Sequence, residues 1–143
     1  NGHLYVRGQA ADYDMWAQLG CRGWDWDSVL PYFRRAETRG NGGGDPAVRG
    51  SDGPLAIQDQ RDPHPLSDAY MAANEALGLR RTPDYNCGDQ EGTFLYQQMM
   101  RDGRRWSPAD AYLRPALKRP NVRLIQHALA ERVVFEGRRA VGV

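Results

Sequence analysis

Apolar positions recur along the chain at two different periods. Over residues 12–19, Tyr13, Trp16 and Ala17 fall on one helical face and Gly20 stands at the C-terminal capping position, which predicts a short helix. A second helix is expected from Asp27 or Ser28, either of which can cap it, with Pro31 in the first turn. Val29, Leu30, Phe33 and Glu37 form its inward stripe, and Arg34 and Arg35 turn to water. A third helix opens with Pro65 at its first position and repeats Leu66, Tyr70, Ala73 and Leu77 before Gly78 stops it. Ser107-Pro108-Ala109-Asp110 resembles a capping box and predicts a fourth helix to about Leu117.

Strands are expected over 54–58, 94–100, 122–126 and 129–135. A tight turn at Glu136-Gly137-Arg138 then returns the chain as a hairpin to Val143. Residues 82–92 read as a polar loop. Residues 38–53 carry Gly40, Gly42, Gly43, Gly44, Gly50 and Gly53 with almost nothing apolar, and read as a mobile surface loop. Gly42 to Ala47 formally matches a GxGxxA dinucleotide fingerprint. It follows a helix rather than a strand, and Pro46 with Gly50 opposes a helix after it, so the match is rejected. The order of elements, with no internal repeat, predicts a mixed α/β or α+β fold.

Composition narrows the function classes. The 143 residues are 41% hydrophobic and 26% charged, as in a globular chain with a core. The 19 basic and 18 acidic residues leave a formal charge of +1, which argues against a nucleic-acid surface. Lys118 is the single lysine, and the arginines are spread along the whole chain rather than gathered into a phosphate site. Cys21 and Cys87 lack metal-ligand spacing and read as two reduced thiols, so no metal is expected. No apolar run approaches the roughly 20 residues needed to cross a bilayer. His64 and His127 have no triad partner at a suitable spacing. Trp16, Trp24, Trp26 and Trp106 read as packing residues rather than a substrate cage. The pairs Asp12/Asp14 and Asp25/Asp27 suit helix capping better than acid–base work. The chain opens on Asn1 and closes on an apolar run, so both ends read as cuts.

Several motifs occur in an order shared with one family. They are Asn1-Gly2-His3-Leu4-Tyr5-Val6-Arg7-Gly8, then Asp12-Tyr13-Asp14 and Trp16, Gly23-Trp24-Asp25-Trp26-Asp27, and Val29-Leu30-Pro31-Tyr32-Phe33. Gly53-Pro54-Leu55, Asp84-Tyr85-Asn86, Gln90-Glu91-Gly92, Gly103-Arg104-Arg105-Trp106-Ser107, Ala111-Tyr112-Leu113 and Arg139-Ala140-Val141-Gly142-Val143 follow. Over its whole length the chain resembles the glucose–methanol–choline oxidoreductases, most of all the bacterial choline dehydrogenase-like members.

The resemblance implies an internal fragment of a two-domain flavoenzyme, with a Rossmann-like FAD-binding domain and a substrate domain. Such enzymes oxidise a primary alcohol, choline-like or other, by hydride transfer to FAD, and pass electrons to an acceptor or to oxygen. Residues 1–20 are then the flavin-contacting segment, 21–53 a helix and Gly-rich loop near the flavin, 54–120 part of the substrate-binding domain, and 121–143 returning strands of the FAD domain. Asn1, Gly2, His3 and Leu4 are the implied FAD contacts, and Ala130 matches the strand position whose main chain grips the adenine. No catalytic residue falls within the chain: the pyrophosphate turn would precede Asn1, and the catalytic histidine would follow Val143. The implied location is the bacterial cytoplasm, or the membrane surface through an electron acceptor. Two departures stand out. Asn86 is followed by Cys87 where the family usually has glycine, so a left-handed backbone there would strain Cys87 by about 1 kcal/mol. His3 stands where many members have Met. The alternatives are a non-catalytic interaction module of the same descent and, more weakly, a nucleic-acid-binding domain.

Overall fold

A computed structural model describes residues 2–40 and 43–143. Helix α1 (Ala10–Gln18) begins two residues before its expected start. The Asp12 carboxylate accepts the Gln9 N–H at 2.8 Å, which makes Asp12 the third helical residue rather than the first. Helix α2 (Trp26–Ala36) is capped by Asp25, not by Asp27 or Ser28. The Asp25 carboxylate accepts the Ser28 N–H at 3.0 Å and the Ser28 hydroxyl at 2.8 Å. These bonds, the hydroxyl first, hold its pKa below the ordinary carboxylate value. Pro31 therefore lies inside α2, where Asp27 and Pro31 are both exposed and water reaches the carbonyl its ring leaves unbonded. The Trp26 N–H donates to Asp14 at 2.9 Å and ties α1 to α2.

The main sheet has four strands in the order β1 (Glu37–Arg39), β2 (Leu55–Gln58), β3 (Gln98–Arg101) and β4 (Arg104–Arg105). β1 runs parallel to β2, and the other pairs are antiparallel. Expected strands 54–58 and 94–100 correspond to β2 and β3. β4 was not expected, although Asp102-Gly103, with φ of 51° and 73°, is the kind of pair that closes a two-residue hairpin. Residues 38–53 are likewise not the mobile surface loop expected: part of them forms β1, and Arg39, Arg49 and Gly50 are buried. A side chain at Gly50 would overlap the Arg34 carbonyl and lie 2.6 Å from the Glu37 carbonyl oxygen. Glycine thus lets this segment press directly on the end of α2.

Helix α3 (Pro65–Ala76) keeps its expected proline start, and His64 Nδ1 accepts the Leu66 N–H at 3.2 Å. Its repeated apolar residues do not mark a buried face: Leu66 is 72% and Leu77 83% exposed, and Met71 is the buried residue. The fourth helix forms as a π-helical turn (Ala109–Leu113) continued by α4 (Arg114–Ala116). Its capping box is present, with Asp110 accepting the Ser107 hydroxyl at 2.7 Å and the Ser107 N–H at 3.0 Å.

The strands expected over 122–126 and 129–135 largely fail to form. Only β5 (Val134–Glu136) pairs, with β6 (Arg139–Gly142), as a separate two-stranded sheet. Residues 123–143 are exposed throughout. A strand needs a neighbour to take its amide groups, and no described strand lies beside 122–133.

The buried set is unusually polar. Ile57, Met71, Tyr85 and Ala111 are its apolar members, beside Arg7, Glu37, Arg39, Arg49, Thr82, Asn86, Thr93 and Gln97. Buried charges persist only when paired and hydrogen-bonded, so that polar centre governs how the elements meet.

Candidate cofactor-contacting site

Residues 3–5 run alongside residues 97–99 at the start of β3. Leu4 bridges Gln98, the Met99 N–H donates to the His3 carbonyl at 3.0 Å, and the Tyr5 N–H donates to the Gln97 carbonyl at 2.9 Å. Three of the five residues expected at the cofactor, Gly2, His3 and Leu4, are neighbours in this segment, and Asn1 lies outside the described residues. Gly2 is exposed, and a side chain there would touch only Leu4. Leu4 is exposed at 39%.

His3 is held in the left-handed region at φ 67°, which costs a non-glycine residue roughly 1 kcal/mol. Its Nε2 is buried and has no hydrogen-bond partner among the described residues. A strained backbone and an orphaned polar atom on one residue mark it as a place where a further group can bind. The expected strain at Cys87, by contrast, is absent: Gly88 takes the positive φ of 125°, one place later than the family pattern.

Behind this edge lies a buried ionic hub that the sequence did not reveal. Glu37 Oε1 lies 2.7 Å from Arg7 Nη2 and 2.8 Å from Arg49 Nε in two ion pairs, and accepts the Gly50 N–H at 3.0 Å. Arg49 continues to Asp84 and to Gln97 Oε1, both at 3.0 Å. Arg39 pairs with Asp59 at 2.7 Å and stands 4.0 Å from Asp84. Three guanidiniums thus face three carboxylates, and α2, β1, the Gly-rich segment and the entry segment are joined at one point. No spacing rule could have found them, because the partners come from six separate stretches of chain, around residues 7, 37–39, 49, 59, 84 and 97. Tyr5 borders the hub, and its pKa is pushed up to about 12 by burial and then by the Glu37 charge.

Ala130 sits elsewhere, exposed and outside any strand. It is not brought into the Gly2–Leu4 edge by any sheet pairing, and the strand expected around it is not formed. His127 is exposed with φ 56°, and His64 caps α3. Trp16, Trp24 and Trp26 do converge, around Tyr13 and Phe33, with ring centroids 5.4–6.2 Å apart. Trp106 stands apart, its indole N–H donating to the Pro54 carbonyl at 2.7 Å and its ring facing Arg101. Cys21 and Cys87 are free thiols, and burial pushes the Cys87 pKa up. Among the described residues no group of three or more His, Cys, Asp or Glu could hold a metal ion, and no helix is long and apolar enough to cross a membrane. Described residues 43–47 hold no helix start, so nothing there supports a dinucleotide turn, and Gly42 lies outside the described set.

Residues 1–143 match the family model described as GMC oxidoreductase. An oxygen-dependent choline dehydrogenase of Brucella anthropi is 50% identical over all 143 residues, and one of Sinorhizobium fredii is likewise 50% identical. The chain spans 26% of the length of these curated relatives. Among solved structures, an FAD-dependent oxidoreductase from Chaetomium thermophilum superposes with a TM-score of 0.81 at 29% identity, over 99% of this chain and 26% of that one. Pyridoxine 4-oxidase from Mesorbium loti superposes with a TM-score of 0.74 at 35% identity, over 82% of this chain and 23% of that one. The mixed α/β fold expected from the order of elements is the fold of these oxidoreductases, and the chain belongs to the GMC oxidoreductase family.

Proposed function

We propose that this chain is the flavin-contacting and substrate-roofing part of an FAD-dependent oxidoreductase that oxidises a primary alcohol, choline or a similar one. The observation that carries the reading is the 50% identity to an oxygen-dependent choline dehydrogenase over all 143 residues of the chain. FAD, when bound, supplies the acceptor for the hydride removed from the alcohol carbon. The relatives' oxygen dependence makes oxygen the first candidate for the final electron acceptor.

The entry segment fits a cofactor edge. Gly2 leaves room for close approach, Leu4 offers an apolar surface, and His3 keeps a buried nitrogen without a partner. Residues 1–20 would contact the flavin, 21–53 would stand near it, and 54–120 would roof the substrate. Residues 121–143 would return to the nucleotide domain, where Ala130 would meet the adenine through its main chain. Residues 123–133, exposed and outside any described strand, suit that role, since strands of the FAD domain would pair with them. No side chain of this chain is assigned a proton transfer; the family's catalytic histidine would follow Val143.

The test is a steady-state screen of the full-length protein that carries this chain, with choline and other primary alcohols, following oxygen uptake. Alcohol-dependent uptake supports the reading. A full-length protein that holds FAD but oxidises no alcohol overturns the substrate, and one that holds no flavin makes the chain a non-catalytic module.

A further inference from the structure

We propose that Tyr85, Asn86 and Gln97 are positioning residues that set the backbone of residues 3–7 against the flavin. This rests on the reading that the entry segment contacts the cofactor. An extended segment beside a strand is ordinarily aligned by main-chain bonds alone. Here side chains take over where the strand pairing stops. The Tyr5 carbonyl accepts from the Tyr85 hydroxyl at 2.6 Å and from Asn86 Nδ2 at 3.2 Å. The Arg7 N–H donates to Asn86 Oδ1 at 2.8 Å, so one amide side chain grips the peptides on both sides of Val6. The Arg7 carbonyl accepts from Gln90 Nε2 at 2.6 Å.

The three side chains also hold one another. The Gln97 N–H donates to the Tyr85 oxygen at 2.9 Å, which leaves the phenol proton for the Tyr5 carbonyl. Gln97 Oε1 accepts from Asn86 at 3.1 Å and from Arg49 at 3.0 Å, and Gln97 Nε2 donates to Asp84 at 3.0 Å. Tyr85 stacks on Phe94 with centroids 4.3 Å apart. Exposure of 1% for Tyr85 and Gln97 and 2% for Asn86 leaves these groups no route to exchange partners with water. Two residues before the clamped Tyr5 carbonyl, His3 keeps a left-handed conformation, and strain of that kind persists only where the surroundings over-determine it. None of the three side chains needs to touch the flavin; they act through the peptide they hold.

The test uses the full-length holoenzyme. Tyr85→Phe keeps the ring and removes the bond to Tyr5. Asn86→Asp keeps the acceptor for Arg7 and removes the donor to Tyr5. Trp106→Phe, which loses one remote hydrogen bond, is the control for general loosening. The readouts are the visible flavin spectrum, the flavin reduction potential and kcat. We expect Tyr85→Phe and Asn86→Asp to shift the spectrum and potential and to lower kcat by roughly tenfold or more, since a displacement near 1 Å can cost about a hundredfold. Trp106→Phe should leave the flavin spectrum and potential as they were. If His3→Ala and Leu4→Ala move the flavin spectrum while Tyr85→Phe and Asn86→Asp do not, the clamp is structural only and the proposal fails. If His3→Ala and Leu4→Ala also leave the spectrum unmoved, flavin contact itself fails and takes the proposal with it.

Discussion

The Tyr85 hydroxyl donates to the Tyr5 carbonyl at 2.6 Å across a separation of eighty residues. That bond joins the first strand-like segment of the chain to the loop before β3, and it lies against the ionic hub at Glu37. The hub therefore governs the stability of the entry segment, and perturbing it should be costly.

Glu37 serves two buried arginines at once, and its side chain is fully buried. Glu37→Gln removes the charge, which takes away the carboxylate that pairs with Arg7 and leaves Arg49 with Asp84. The expected loss is about 3–5 kcal/mol of unfolding free energy, read from urea denaturation. A loss under about 1 kcal/mol would mean that water reaches the pair.

Two glycines should respond differently to alanine. At Gly50 a methyl group overlaps the Arg34 carbonyl, and the backbone of α2 cannot yield cheaply. Gly50→Ala should cost about 4 kcal/mol or more, or prevent folding. Gly20 has open space around it and only its φ of 103° to contend with, so Gly20→Ala should cost about 1 kcal/mol. Soluble yield and melting temperature of the two variants separate these cases.

Tyr5 gives the protein an alkaline limit. Its folded pKa of about 12 lies above the ordinary value of 10.0, so the neutral phenol is the form that folding favours. Its contribution is complete below pH 10 and is lost as the pH rises from 10 through 12. Two pKa units correspond to a loss on the order of 3 kcal/mol. Burial pushes Tyr85 up as well, so Tyr5→Phe should flatten the alkaline fall in stability without abolishing it. An unchanged slope in pH-dependent denaturation would contradict this.

Trp106 is fixed by its bond to the Pro54 carbonyl, which links the segment after β4 to the start of β2. Trp106→Phe should cost about 1 kcal/mol, with the rest of the fold intact by circular dichroism.

Local rules made the helices legible. Gly20, Pro65 with Gly78, and the Ser107–Asp110 box each act within a few residues, and each marks a real terminus. Asp25 was missed because Asp27 and Ser28 offer the same chemistry two and three positions on. The stripe of α3 misled for another reason: periodicity shows that a face is apolar but not what covers it, and nothing described covers Leu66 or Leu77. The strands over 122–135 failed similarly, since pairing depends on a neighbour that the local pattern does not contain. Of the site, the Gly2–Leu4 edge was legible through resemblance alone. The Arg7–Glu37–Arg49 hub and the Tyr85–Asn86–Gln97 clamp were not legible at all, because residues up to 81 positions apart make them.

The most direct test of the functional account is a single anaerobic experiment on the full-length protein that carries this chain. The purified protein should hold FAD, and adding choline or another primary alcohol without oxygen should bleach the oxidised flavin spectrum, with colour returning when oxygen is admitted. A bound flavin whose spectrum no alcohol changes, or a full-length protein with no flavin, would contradict the account.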